Sequence, residues 1–152
     1  MGIMNIRRVM DRIVQLQGDL AIEEPTSMRI AKAYKYVPPM RVAAPSTPCF
    51  MNTWTMVGET RRSVVREQMY IVHMQLLVAD ADQDRAADIA SAFHEQLVNA
   101  FDKDVTLLAT CTRQALRGAD PTLVLLERAG RAYIGLNLYL DVWFTETQEF
   151  EP

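Results

Sequence analysis

The chain has 152 residues, a length that suits a single domain with a hydrophobic core of its own. Hydrophobic residues make up 49% and charged residues 23%, a composition that is typical of globular proteins and excludes a disordered chain. The net charge of −3 is unevenly divided: residues 1–66 hold ten Lys/Arg against five Asp/Glu (net +5), and residues 67–152 hold six against fourteen (net −8).

The first predicted element is an amphipathic helix over about residues 4–20. Its apolar residues recur at three and four positions, the spacing of one helix face: Ile6, Val9, Met10, Ile13, Leu16 and Leu20. A short strand is predicted from Ser27 to Val37. The stretch 38–48 follows with four prolines and no periodicity, so we expect a loop or an extended arm.

A long β-hairpin is predicted next. Its first strand runs from Cys49 to Val57, its turn is Gly58-Glu59-Thr60, and its second strand runs from Ser63 to about Val78. Arg61, Arg62 and Arg66 are expected just beyond the turn. A second helix then opens near Asp80, Asp82 and Asp84, with Asp82 as its N-cap. Its apolar face is predicted to contain Ala86, Ile89, Ala90, Phe93, Leu97, Ala100 and Phe101.

Three strands are predicted in the last third of the chain. They are Val105–Thr112, which is either a strand or a short loop-strand, Thr122–Glu127 and Ala132–Thr145, with a turn at 118–121 and a tight reversal at 128–131. The last strand alternates regularly, with Leu136, Leu138 and Leu140 among its inward residues. These elements predict one α+β domain over residues 1–152, with a mainly antiparallel sheet, two helices packed on one face and a long β-hairpin.

No catalytic or metal-binding motif stands out. Cys49 and Cys111 lie 62 positions apart without metal-ligand spacing, so both are expected to be buried free thiols in a reducing compartment. His73 and His94 are interpreted as structural or surface residues. Asp80, Asp82 and Asp84 resemble the start of a calcium loop, but Arg85 and Ser91 occupy the positions that need Gly and Glu. We therefore expect no enzyme activity, no metal and no cofactor.

Targeting and nucleic-acid signals are also missing from the sequence. No segment approaches the ~18 apolar residues of a membrane helix, and the N-terminus lacks the apolar region of a signal peptide. The basic residues are scattered rather than clustered, so specific nucleic-acid binding is not expected. We expect a soluble protein without a membrane partner.

The second face of the predicted sheet carries aromatic residues. Tyr133, Tyr139 and Trp143 alternate with the inward residues of the last strand, and Ile71 and Leu77 lie on the same side of the long strand before the second helix. An apolar sheet face is unfavourable in water. The Pro-rich segment or another subunit could cover it, and a strand of about fourteen residues would also offer edges for pairing between subunits.

The layout over residues 4–146 resembles the tail terminator and tail-completion (neck) proteins of long-tailed bacteriophages. The resemblance rests on the first helix, the Pro-rich arm at 38–48, the hairpin around 58–66, the Ala-rich helix and the closing strand 131–142. It implies a structural virion protein, assembled in the bacterial host cytoplasm, that forms a hexameric ring. The ring would cap the tail tube, end its polymerisation and provide the surface that joins the head, with DNA passing through it.

The resemblance implies contacts with the tail tube protein and with a head-completion protein. Unlike charges in the two halves of the chain suit a ring, where one patch meets a different patch on the neighbour. We place Arg61, Arg62 and Arg66 at a ring surface or lumen, and Tyr133, Tyr139 and Trp143 at a contact between subunits. The alternative is a cytoplasmic module that binds a small molecule or peptide around those three aromatic residues.

Overall fold

A computed structural model describes residues 5–36, 46–79, 82–117, 123–128 and 130–147. Within these residues the chain is an α+β fold with two helices, as predicted, and it has a small two-stranded sheet in addition to the main one. The elements, in chain order, are α1 (Ile6–Gly18), β1 (Ala21–Ile22), β2 (Met28–Arg29), β3 (Lys32–Tyr34), β4 (Cys49–Arg62), β5 (Val65–Val78), α2 (Gln83–Asp102), β6 (Arg113–Leu116), β7 (Leu123–Arg128) and β8 (Arg131–Thr147).

The main sheet has the strand order β3-β4-β5-β8-β6, and β7 pairs with β8 beside β6. Every pairing in it is antiparallel except that of β3 with β4. The strands β1 and β2 form a separate antiparallel pair. The three central strands β4, β5 and β8 are 14, 14 and 17 residues long, and their paired ladders extend past the part of the sheet that the helices cover.

One core joins both helices to one face of the main sheet. Val9, Met10 and Ile13 of α1 pack there, and α2 contributes Ile89 and Phe93 among others. The sheet supplies alternate residues of its central strands: Tyr70, Val72, Met74, Leu76 and Val78 from β5, and Leu136, Leu138, Leu140, Val142 and Phe144 from β8. The alternation predicted for the last strand is therefore confirmed, and β5 alternates in the same way.

The helix starts follow local capping. The Asn5 side chain accepts a hydrogen bond from the Arg8 amide at the start of α1, and Asp82 accepts from the amides of Asp84 and Arg85 at the start of α2. These bonds satisfy amides that have no partner within the helix. The prediction of Asp82 as N-cap is confirmed, whereas Asp80 lies outside the described residues.

Three predicted elements are wrong. The predicted strand Ser27–Val37 consists of the short strands β2 and β3, which pair with different neighbours. The hairpin turn is at Ser63-Val64, while Gly58 lies inside β4 at a register shift. Residues 105–110 form a turn rather than a strand, because side chains of Asp104 and Thr106 bond to its backbone. Residues 38–45 of the predicted arm and the predicted turn at 118–121 lie outside the described residues.

Candidate assembly surface

The β4–β5 hairpin extends beyond the helices. In β4 the residues Cys49 to Asn52 are buried, whereas every residue from Thr53 to Arg62 is exposed. Its partner β5 likewise begins with exposed or half-buried residues and becomes buried only from Tyr70 onward. The hairpin end is thus a sheet with both faces accessible, and it is not part of the core.

One edge of this extension is open. In the described structure β3 pairs only with Cys49, Phe50 and Met51 of β4, so β4 has no strand on that side from Asn52 onward. The backbone N–H and C=O groups that point outward from such an edge favour pairing with another strand. Several large apolar side chains accompany this edge: Trp54, Met56 and Val57 are all among the exposed hydrophobic residues.

An aromatic row connects this edge to the core. Trp54 contacts Tyr70 edge to face with ring centroids 5.5 Å apart, and Tyr70 contacts Phe144 in the same manner at 5.4 Å. Tyr70 and Phe144 are buried, whereas Trp54 is 39% exposed. The row therefore holds Trp54 in a fixed position at the open edge, on the side of the sheet that the helices cover elsewhere.

The three predicted arginines lie at the hairpin end. Arg61 and Arg62 belong to β4 and precede the turn, so their predicted position beyond it is wrong; Arg66 lies in β5 directly opposite Arg61. Arg61 and Arg66 both bond to Glu59 Oε1, at 3.3 Å and 2.6 Å. Partial desolvation opposes ionisation of Glu59, but the hydrogen bonds from the two arginines outweigh it and lower the pKa of this carboxyl.

The arginines thus divide between the two faces of the hairpin. Because side chains alternate, Arg61 and Arg66 lie on the side of Trp54, and Arg62 lies on the opposite side in a cleft with Thr60, Val65 and Glu67. The structure brings Arg61 and Arg66 together around one carboxylate and separates Arg62 from them.

The three predicted aromatic residues share the sheet face opposite the helices, but they do not form one site. Tyr133 is 1% exposed and belongs to a small second cluster with Cys49, Met51 and Leu77. Its hydroxyl has no hydrogen-bond partner among the described residues. Tyr139 and Trp143 lie further along β8 on the accessible part of this face. The expectation of a bare apolar face is wrong at Tyr133, which is packed.

Polar groups of the same chain cover the other two rings. His73 stacks on Tyr139 at 4.9 Å, and the Arg117 guanidinium lies 5.6 Å from the same ring. Arg117 also forms an ion pair with Asp141, at 3.1 Å. The guanidinium of Arg113 lies 3.5 Å from the centre of the Trp143 ring. These contacts make the face a layer of aromatic and cationic groups rather than an apolar surface.

The other titratable groups with a distinctive environment are the two cysteines and His94. Cys49 and Cys111 are both buried, as predicted. Burial, with a smaller contribution from Asp104, raises the pKa of the Cys111 thiol to about 12, so this thiol stays protonated and is a poor nucleophile. Burial also lowers the pKa of His94 in α2, against a smaller opposite effect of Glu95.

The described residues contain neither a metal-ligand cluster nor a membrane-spanning helix. No group of three or more His, Cys, Asp or Glu side chains converges there as a metal site would. None of its helices is long and apolar enough to cross a membrane.

Two features of the surface were missed by sequence reasoning. The first is the exposed edge of β4, where Trp54 and Met56 share a face with the buried Phe50 but lie beyond the helices. The second is the turn that follows α2, in which Leu107, Leu108 and Ala109 all have left-handed φ angles of 48°, 52° and 61°. The exposed edge of β4 could have been found from its apolar residues, which continue past the part of the strand that the helices can cover. The left-handed turn had no signal in the sequence.

No protein-family model matches this sequence, and no curated protein matches it significantly. The fold and the surfaces described above are therefore the observations on which a function can be argued.

Proposed function

We propose that this chain is a structural ring subunit of a bacteriophage tail, which closes the end of the tail tube and provides the surface for joining the head. The observation that carries the proposal is the hairpin end of β4 and β5, where Thr53–Arg62 extend from the core as exposed sheet with an open edge. An extended edge strand is a liability in a free monomer and is suited to association with another chain.

The charges of the hairpin end support a contact with defined register. Arg61, Arg66 and Glu59 form a fixed cluster on one side, while Arg62 occupies the other side. Exposed charges of this kind contribute little to folding but favour one orientation of a partner and raise the association rate. The hexamer, the tail tube contact and the head-completion contact all belong to this proposal.

The test is the native mass of the purified chain, by light scattering after size exclusion over a range of protein and salt concentrations. A species near six times the 17.3 kDa subunit is the expected result. The charge reversal Arg62→Glu is expected to weaken it, and the matched control is Asp88→Lys, a charge reversal on the exposed face of α2. A stable dimer at every concentration would contradict the ring.

A second candidate function, a module that binds a small molecule or peptide, rests on the exposed face of β8. Tyr139 is 39% exposed between His73 and Arg117, a setting that could receive an aromatic or anionic group. The same contacts disfavour it, because the chain's own side chains already stack on the rings. A defined dimer that loses saturable ligand binding in Tyr139→Ala and Trp143→Ala, with its mass unchanged, would favour this candidate.

A further inference from the structure

Two exposed apolar patches lie at opposite edges of the main sheet. The first, called here the β4 patch, consists of Trp54, Met56 and Val57 on the open edge, with 39%, 43% and 53% of their surface exposed. The second, called the turn patch, consists of Val105 and Leu108, with 53% and 64% exposed. The turn patch adjoins the other edge of the sheet, because the Val105 carbonyl accepts a hydrogen bond from the Gln114 amide of β6.

Both patches lie on the side of the sheet that carries the helices. Trp54 contacts Tyr70, whose side chain is in the main core, and Leu107 in the middle of the turn is buried in the same core. They are therefore at one level of the molecule, separated by the width of the sheet. Exposed apolar residues that accompany two strand edges are typical of association sites.

The turn patch is held out by a constrained backbone. Three consecutive non-glycine residues in the left-handed region each cost roughly 1–2 kcal/mol, so the surrounding structure must impose this shape. Asp104 does so by accepting from the Leu108 amide at 2.9 Å while it pairs with Arg12 at 2.8 Å. Thr106 accepts from the Ala109 amide at 3.2 Å. A conformation this strongly supported presents Leu108 to solvent in a fixed position.

The registers place the two edges opposite each other across the sheet. Thr55 pairs with Ile71, Ile71 with Asp141, and Asp141 with Ala115. The next row runs in the same way from Met56 through Tyr70 and Val142 to Gln114. The open part of β4 and the strand β6 therefore occupy the same rows of the sheet.

The strand directions also agree. Three successive antiparallel pairings separate β4 from β6, so these two strands run in opposite directions. If a second copy is placed beside the first with its sheet in the same orientation, its β4 meets β6 of the first copy in an antiparallel arrangement. The β4 patch of one copy then lies against the turn patch of the other.

We propose that neighbouring copies of this chain associate by docking the open β4 edge and its patch onto the β6 edge and turn patch of the next copy. The contact is heterologous, since each copy uses a different edge toward each neighbour. Because the Gln114 amide is already bonded to Val105, side-chain packing of Trp54 and Met56 against Val105 and Leu108 contributes most of it. This inference rests on the proposed ring function and specifies the contact between its subunits.

The test is cross-linking between copies of the full chain. Thr55→Cys and Ala115→Cys place thiols at exposed positions of one sheet row. Within one chain these positions are three strand spacings apart, roughly 14 Å, so a shorter bis-maleimide can join them only between chains. The parent chain is the control, because its two cysteines are buried.

The expected result is a ladder of covalent products up to the hexamer in the double variant, and none in either single variant. Adding Trp54→Lys or Leu108→Lys to the double variant should abolish the ladder, whereas adding Asp88→Lys should leave it. All three positions are exposed, so each variant is expected to fold, which circular dichroism would verify.

The other outcomes separate this inference from the proposed function. A ring by native mass without cross-linking in the double variant overturns this contact and leaves the ring. A ladder that continues past six copies into open filaments supports the contact and overturns the closed ring. A cross-linked dimer of the Thr55→Cys single variant means that β4 pairs with itself and overturns the inference. A monomer without any ladder at high concentration overturns both.

Discussion

The first four residues of β4 and its last ten belong to one strand, yet they have opposite environments. Cys49 to Asn52 are buried between β3 and β5, while Thr53 to Arg62 are exposed on both faces. The same backbone ladder to β5 runs through both parts, apart from the register shift near Val57. Hydrogen bonding to β5 is therefore similar in the two parts, which differ in side-chain burial and in the pairing with β3 that only the first part has.

This comparison separates stability from association. The buried part contributes to the core, which accounts for most of the free energy of folding. The exposed part contributes little to the core but presents an edge, an apolar patch and a charge cluster to other molecules. Substitutions in the two parts should consequently change different measured quantities.

The largest expected effect tests this separation directly. Phe93→Ala removes a fully buried ring from the core and should lower the free energy of unfolding by about 3–5 kcal/mol. Trp54→Ala removes a larger ring from the open edge but should cost only about 1 kcal/mol, mainly through the lost contact with Tyr70. Urea unfolding of the two variants at low protein concentration measures both values. Similar losses would show that the hairpin end is part of the core.

A buried amide pair lies at the junction of the two parts. The side chains of Gln17 in α1 and Asn52 in β4 exchange two hydrogen bonds of 2.8 Å, and Asn52 donates a third to the Tyr34 carbonyl. Asn52→Ala leaves buried polar groups without partners, so we expect a loss of about 1–3 kcal/mol in the free energy of unfolding.

A double-mutant cycle with Gln17→Leu and Asn52→Leu sharpens this prediction. Because replacement of both amides leaves neither of them unpaired, the double variant should lose less stability than the sum of the single variants. Additive losses in urea unfolding would mean that the two amides are not coupled. The boundary between the buried and exposed parts of β4 would then depend on another contact.

Local patterns predicted the regular elements and missed the long-range polar contacts. The alternation of β8 from Leu136 to Phe144 and the apolar face of α2 were predicted because burial repeats with the period of each element. Gln17 was not predicted as buried, since its partner Asn52 is 35 positions away and neither residue has a local reason to be inside. Contacts of this kind depend on the fold and are not encoded in a periodicity.

The turn predictions were wrong for a related reason. Gly58-Glu59-Thr60 has turn composition, but the hairpin reverses at Ser63, which adopts a φ of 55° without the help of glycine. The run from Val105 to Thr112 has strand composition, yet two side-chain oxygens, from Asp104 and Thr106, bond its amides into a left-handed turn. The three arginines were grouped by their nearness in sequence, but Arg61 and Arg62 are adjacent in β4 and therefore lie on opposite faces, with Arg66 opposite Arg61.

A smaller effect is expected on the exposed face of β8. The Arg113 guanidinium over Trp143 should contribute about 0.5–1 kcal/mol, the range for an exposed cation–π contact. A double-mutant cycle of Arg113→Ala and Trp143→Ala in urea unfolding isolates this coupling. A coupling near zero would mean that Trp143 is held by the sheet alone and that its face is free to receive another group.

The smallest effect is expected at the charge cluster of the hairpin end. The pKa of Glu59 is lowered from its ordinary value of 4.5 by hydrogen bonds from Arg61 and Arg66, against a desolvation effect of opposite sign. A carboxyl with a lowered folded pKa adds stability above its unfolded pKa, and that stability is lost as the pH falls below 4.5 through the folded value.

Arg66→Met should raise the pKa of Glu59 toward 4.5 in an NMR titration, while Arg62→Met, on the other face, should leave it unchanged. An equal shift in both variants would show that the two faces of the hairpin end are not electrostatically distinct. Because these groups are exposed, their interactions contribute little to folding, and a change of assembly as the pH falls below 4.5 without a change of monomer stability would be further support for separating the two parts of β4.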